Sequence, residues 1–386
     1  MSAKALWSGL VVMAFAVATG SAGAQGNVST LGQGYPPGQL STRDMGSGGA
    51  FGEIDAESPL NPAALSAWGS IGLHFQYDPE FRTVTANGVT EHTTTNRFPL
   101  FIGAIPISHF TLGLSFSTLL DRTWETNVTQ TLAPQIGDVG LPSTETTTFR
   151  STGGISDLRL GVAWSATPWL AVGAGVDWFT GQNQILQQVT FSDTTPGRFF
   201  PSVNNSTISY GGIGASAGII LRPIHSLALA GSFRVGGNVR AREGDSTTLA
   251  NGNIPARAGG QIAFTGIPGV SLGARVDWEQ WSKLNDLSVG DVTAKDGLGW
   301  SVGTDVQAFS LFGRTIQLRL GGGRRALPYV VAGTQINETD LSGGVGIPFG
   351  RGRVTLDISV VRDWRTSVVG VTESAYITST GLTIHP

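Results

Sequence analysis

Cysteine is absent from all 386 residues, so disulfides, thiolate chemistry and cysteine-held metals play no part in this protein. Charge is scarce as well: Asp, Glu, Lys and Arg make up 13% of the chain, against about 25% in an ordinary soluble domain. The 24 basic and 27 acidic side chains leave a formal net charge of −3, which provides no basic field for gathering nucleic acid. Histidine is rare, and His74, His92, His109, His225 and His385 are scattered, with no His and Ser pairing at a strand end. No catalytic residue, metal site or cofactor is therefore expected. The stretch Gly212, Ile213, Gly214, Ala215, Ser216, Ala217 has the glycines of a dinucleotide loop but lies within a strand pattern, with no helix after it. Nowhere after Gln25 is there a run of the roughly 18 apolar residues that a membrane-spanning helix needs.

Glycine is plentiful, at 55 residues, about twice its usual share. The 10 tryptophans and 18 phenylalanines speak for a folded chain. Near the start, Lys4 precedes an apolar run from Leu10 to Ala18 and the small residues Ala22, Gly23 and Ala24. That order is expected of a cleaved secretory signal over residues 1–24 and places the mature chain outside the inner membrane.

The dominant pattern is alternation. Apolar residues recur at every second position in Leu158, Leu160, Val162, Trp164; in Leu170, Val172, Ala174, Val176, Trp178; in Val270, Leu272, Ala274, Val276, Trp278; and in Val354, Leu356, Ile358, Val360. This is the period of a strand with two unlike faces. Fourteen candidate strands follow, near 68–78, 97–106, 108–120, 155–166, 169–180, 207–221, 225–236, 255–265, 269–280, 297–309, 314–324, 339–348, 353–365 and 374–385. Their connections alternate in length, with tight turns near Ser108, Pro168, Ile224, Pro268, Gly313 and Gly350 and long polar loops between them. Even strand parity with short turns at one end and long loops at the other is the signature of a transmembrane barrel in the bacterial outer membrane. Trp124, Trp178, Trp278, Trp281, Trp300 and Trp364 fall at loop-side strand ends, and Trp68, Trp164 and Trp169 at turn-side ends, as two interfacial girdles would require. A soluble propeller or sandwich would not show loops long on one side only. The fold class expected is all-β: a closed antiparallel transmembrane barrel of about 14 strands over residues 68–386.

With the apolar face toward lipid, the lumen receives the residues between, including Arg159, Asp177, Arg234, Arg275, Asp277, Glu279, Asp305, Arg319 and Asp357. Mixed buried charges either pair with one another and with a plug or steer a solute, and pairing comes first because an unpartnered buried charge is costly. Lumen-facing glycines, among them Gly161, Gly173, Gly273, Gly303, Gly321 and Gly344, admit close approach by another backbone or help the sheet to curve. The segment 25–67 lacks strand alternation and is the candidate occupant, a hatch in which Asn61 suits a helix N-cap and Pro62 the first helical position. Leu186, Val189, Phe191, Phe199, Phe200 and Val203, in the third long loop, are candidate ligand-binding residues, because so much apolar surface is unusual in a water-facing segment; packing against the barrel rim is the other reading.

The residues Met45, Gly46, Gly48, Gly49, Ala50, Phe51, then Asp55, Ala56, then Asn61, Pro62, Ala63 and Leu65 resemble the N-terminal hatch of the fatty-acid-transporter type of outer-membrane protein (FadL and the toluene transporters). The run Leu341 to Gly350 is similar to that family's distal strands. The resemblance implies a fourteen-stranded barrel plugged by a hatch carrying the Asn61, Pro62, Ala63 motif. Its implied function is passive uptake of hydrophobic small molecules such as long-chain fatty acids. Implied partners are that ligand, outer-membrane lipid and lipopolysaccharide, and the barrel-assembly machinery. The alternative is a binding or scaffold barrel of the same superfamily serving secretion or envelope assembly.

Overall fold

The computed structural model describes residues 34–386 apart from 87, 133–142, 195–197, 245–246, 288–292, 312–313 and 369. The expected leader over residues 1–24 lies outside the described residues.

Sixteen strands follow in chain order: β1 (Gly72–Ala86), β2 (Val89–Ile107), β3 (Phe110–Asp121), β4 (Trp124–Leu132), β5 (Ser143–Thr167), β6 (Leu170–Phe191), β7 (Ser202–Ile224), β8 (Leu227–Glu243), β9 (Thr247–Asn253), β10 (Arg257–Ile267), β11 (Val270–Glu279), β12 (Gly297–Leu311), β13 (Arg314–Val331), β14 (Thr334–Phe349), β15 (Val354–Val368) and β16 (Val371–Ile384). Fourteen of them form a closed antiparallel ring. β16 pairs with β1, with Leu73 opposite Ile384. β3 pairs directly with β5, and β8 with β10. β4 and β9 stand outside the ring, paired to the upper parts of β5 and β8. Closure leaves no open edge, which a sheet crossing lipid requires.

The alternation is carried into space. Phe110, Leu112, Leu114 and Phe116 of β3 are exposed on the outer face, as are Leu229, Phe233 and Val235 of β8. Between them, Thr111, Ser115 and Ser117 are buried within the ring. A bulge between Thr118 and Leu120 breaks the period, and Leu119 and Leu120 are both buried.

The strands run farther than alternation indicates. Residues 79–96, a long loop by that criterion, continue β1 and β2 with paired register from Asp78 and Arg97 to Ala86 and Val89. The segments 121–154 and 237–254 contain β4 and β9. These extensions, such as Thr144 to Thr148 opposite Thr131 to Asn127, are rich in threonine and lack a sustained apolar alternation. Beyond the apolar band the outer face no longer has to be apolar and the alternation lapses, yet the β-branched threonines still favour extended backbone.

Two of the nine tryptophans expected in girdles are buried instead, and a third, Trp124, heads β4 outside the ring, level by register with Ile185, seven residues past Trp178. Trp68 is buried inside the ring, its indole N–H donating to Ala56 O (2.9 Å). Trp281 heads a 3-10 turn, η2 (Trp281–Asp286), and is buried under the loop-side mouth, bonded to Glu279 (2.8 Å). Both lie outside regular strands, where position along the chain no longer reports depth. Trp164, Trp169, Trp178, Trp300 and Trp364 do face outward.

Candidate functional site

Residues 34–67 lie within the ring, because they touch opposite walls at once: the short helix α1 (Thr42–Gly46) packs on β13 to β16, while the 3-10 turn η1 (Pro62–Ala67) packs on β3 and β5 to β7. The segment folds largely on its own polar groups. Ser41 caps α1, its Oγ accepting from Asp44 N (3.1 Å), and both Ser41 and Ser58 donate to Asp55 Oδ2 (2.5 and 2.7 Å). Asp44 Oδ1 accepts from Phe51 N (2.7 Å) and Ser47 Oγ (3.2 Å), closing the glycine turn that follows α1.

That turn rests on the wall where the wall has no side chains. A Cβ placed on Gly303 or Gly321, which face each other across β12 and β13, would lie 2.0 or 2.1 Å from Ser47 O. On Gly344 it would meet Gly46 Cα at 3.0 Å, and on Gly173 the Pro62 carbonyl carbon at 2.4 Å. Gly173, Gly303, Gly321 and Gly344 are therefore seats for the inner segment's backbone.

The sequence-derived hatch residues occupy the β5 to β7 side. Asn61 is buried and caps η1: its Oδ1 accepts from Ala63 N (2.9 Å), and its Nδ2 donates to Glu53 O (2.8 Å). Pro62 and Ala63 lie on Gly173, and Asn61 on Gly218. Leu65 fills the space above Gly113 and Gly161.

The lumen charges form pairs. Arg159 donates to Asp177 (2.5 Å) and to Pro59 O (2.5 Å), so it joins wall to inner segment. Arg319 binds Asp357 (2.5 Å) and Asp305 (3.1 Å), Arg275 binds Asp277 (3.0 Å), and Glu279 accepts from Trp281. Arg234 donates to Gln39 (2.8 Å) and lies 3.4 Å from Asp157. Arg257 pairs with Glu53 of the inner segment.

A larger ionic layer escapes sequence reading because it sits in the strand extensions. Tyr35 forms a two-bond bridge with Asp121 and is buried. Its hydroxyl donates to Glu338 (2.9 Å) and accepts from Arg325 (2.7 Å). Arg365, Arg325, Arg97 and Arg82 lie 4.8, 5.4, 5.5 and 5.6 Å from its ring centre. Carboxylates hold these cations: Arg82 with Glu80 (2.7 Å), Arg97 with Glu80 and Asp121, and Arg365 with Glu338 (2.8 Å) and Glu373 (2.6 Å). A desolvated arginine on an aromatic face gains about 2 kcal/mol. Tyr35 thereby pins the start of the inner segment to both sides of the ring.

Toward the loop side the interior turns apolar. Leu119, Leu120, Ile155, Phe179, Ile185, Ile208, Val239, Ile254 and Trp281 form one buried cluster. Inward parity on β6 through Asp177, Phe179 and Ile185 is the signal for it that the chain carries. The six candidate ligand-binding residues are only partly drawn together. Leu186, Val189 and Phe191 are in β6 and Val203 in β7, so most of this segment is strand and not loop. Phe191 and Phe199 stack (4.8 Å between ring centres), while Phe200 and Val203 point to solvent, 77% and 66% exposed. Ile185, their neighbour, enters the buried cluster.

Cavities flank the inner segment. One of about 390 Å³ on the turn side is lined by Phe51, Ile54, Ala56, Trp68, Arg319 and Asp357 among others. One of about 100 Å³ on the loop side lies against Tyr35, Pro36, Leu40, Met45, Trp281 and Leu327.

No family model and no curated protein matches the chain in sequence. The fold is shared with solved structures. A Pseudomonas aeruginosa FadL homologue superposes with a TM-score of 0.62 at 14% identity, over 91% of this chain and 99% of that one. The Ralstonia pickettii toluene transporter TbuX gives 0.58 at 13% identity, over 90% and 98%. The Pseudomonas putida toluene transporter TodX gives 0.53 at 13%, over 89% and 97%. The chain thus has the plugged-barrel fold of the FadL-type hydrophobic-compound channels.

Proposed function

We propose that this protein is an outer-membrane channel for passive uptake of small hydrophobic molecules, long-chain fatty acids or compounds of similar lipophilicity, with residues 34–67 as its movable hatch. The observation that carries the reading is a lumen interrupted by one segment with a cavity on each face, the larger of about 390 Å³, a size that suits a small ligand. The buried apolar cluster above it supplies a surface on which an apolar solute gains by leaving water. The solved structures of the same fold include proteins named as toluene transporters.

In this mechanism cargo enters between the β4–β5, β6–β7 and β8–β9 extensions, rests on the apolar cluster, and passes when the Tyr35 layer and the glycine-seated turn shift. The paired lumen charges hold the hatch in register and carry no cargo. The test is uptake of a radiolabelled fatty acid and of toluene by cells carrying the intact chain, a deletion, or Phe179→Asp, which puts a charge in the apolar cluster. Uptake should fall severalfold in the deletion and in the variant. Uptake of both compounds unchanged by the deletion would overturn the proposal. The exposed Phe200 and Val203 favour a second reading, a docking surface for a secretion or envelope assembly. That reading requires a complex lost on Phe200→Ser with uptake unaffected.

A further inference from the structure

The arginines that point inward, such as Arg82, Arg97, Arg159, Arg257, Arg319 and Arg365, are each held by carboxylates. Two that point outward near the loop ends of β13 and β15 are not. Arg324 is exposed, and among the described residues it has no acidic partner. Arg362, on the outer face of β15, donates to Ser374 Oγ (3.0 Å), and its guanidinium carbon lies over the rings of Tyr376 (4.1 Å) and Trp364 (5.5 Å). The acids of β13 to β16, namely Glu338, Asp340, Asp357, Asp363 and Glu373, all alternate to the inside.

The register places these cations in one belt. Trp300 is opposite Arg324, Arg324 opposite Thr339, Thr339 opposite Trp364, and Arg362 lies beside it opposite Tyr376. Arg324 and Arg362 are two strands apart, roughly 10 Å at the usual strand spacing. Trp364 follows Val354 at the turn end by ten residues, about 25 Å along a tilted strand, which is the height of the apolar band. The belt therefore meets the lipid headgroups of the loop-side leaflet, and the arginine stems can lie on the aromatics while the guanidinium groups reach the interface.

We propose that Arg324 and Arg362, with Trp300, Trp364 and Tyr376, form a binding site for the phosphorylated headgroup of an outer-leaflet glycolipid. Among the described residues of β13 to β16 no carboxylate shares this outer face, and phosphate oxygens match the planar fork of a guanidinium. The assignment depends on the barrel's orientation and not on its cargo.

The intact barrel, purified free of lipid in detergent, is titrated with bisphosphorylated lipid A and with its dephosphorylated counterpart, with bound lipid counted by native mass spectrometry. The phosphorylated form should bind at least about tenfold more tightly, the yield of one charge-assisted hydrogen bond. Arg324→Gln with Arg362→Gln should remove that preference, Arg362→Lys should remove part of it, and Arg222→Gln at the turn-side end should leave it intact. Heat-dependent gel mobility checks that each barrel is folded. Equal affinity of the unaltered barrel for the two glycolipids would overturn the site, and that comparison stands even if no variant folds. Displacement of the glycolipid by low millimolar inorganic phosphate would overturn the lipid assignment in favour of a free-phosphate site.

Discussion

Replacing Gly303 and Gly321 by alanine puts two methyl groups beneath the turn that follows α1. Each would lie 2.0 to 2.1 Å from Ser47 O, whereas a carbon-to-oxygen contact relaxes near 3.5 Å, so the turn must rise by about 1.5 Å. Overpacking of this kind costs about 1–3 kcal/mol. The cost falls on docking of the turn and not on the wall, because ladder pairing of Gly303 with Gly321 does not involve the added methyls. The undocked population should therefore rise about 5- to 150-fold, at 1.4 kcal/mol for each factor of ten. On either side of the turn the inner segment stays held to the wall, by Tyr35 to Glu338 (2.9 Å) and Thr42 to Ser379 (2.6 Å) before it and by Asn61 Nδ2 donating to Ile219 O (3.4 Å) after it, so the expected change is a gap opening beside Ser47 and not loss of the whole segment. Planar-bilayer recordings should show openings at least about fivefold more frequent in the double variant. Gly343→Ala is the control: its methyl would meet only Arg319 O, at 3.7 Å, and should change nothing. If Gly303→Ala with Gly321→Ala forms a folded barrel whose conductance and openings match the unaltered protein, the inner segment is not seated by backbone contact with these glycines and the reasoning fails.

Other outcomes follow from the same contacts. Asn61→Ala removes the cap of η1 and strands Ala63 N, a loss of about 1 kcal/mol; hydrogen exchange at Ala63 and Ala64 should speed up by about fivefold, and unchanged protection would refute the capping role. Arg319→Ala leaves Asp357 without its cation and Asp305 with Arg43 alone, at 3.4 Å, a cost of about 3–5 kcal/mol. The temperature at which the barrel loses its compact gel mobility should drop, and adding Asp357→Leu should recover part of that drop. Tyr35→Phe keeps the ring among its four arginines but deletes the hydroxyl between Glu338 and Arg325; about 1–2 kcal/mol of local stability should go, read as faster proteolysis near Pro36 and Pro37 with the strands intact. Tyr35→Ala should do markedly more, and equal effects of the two would mean that the arginines gain nothing from the ring.

Much of the barrel is legible in the chain because lipid imposes a simple rule on it. Across the apolar band the outward positions are mostly apolar and the inward ones between them small or polar, so the spacing of Leu158, Leu160, Val162 and Trp164 is enough to announce a strand and its outward face. Asn61 followed by Pro62 announces a turn start through local chemistry alone. The rule lapses where lipid ends, which is why the extensions of β1, β2, β6 and β7 read as loops and why chain position suggests a girdle for Trp281, which instead closes the mouth. What faces what across the lumen is settled only by closure of the ring. Tyr35 meets Glu338 across 303 residues, and no local pattern in either segment foretells it. The same holds for the depth of Arg324 above the turn end and its register with Trp300 and Trp364, set by hydrogen-bonded pairing between strands. The sequence by itself determined which face of each alternating strand points outward and where most of the short turns lie, since those depend on neighbours one to four positions away. Tertiary structure alone decided which charges pair, which glycines seat the inner segment and which arginines are left facing the membrane.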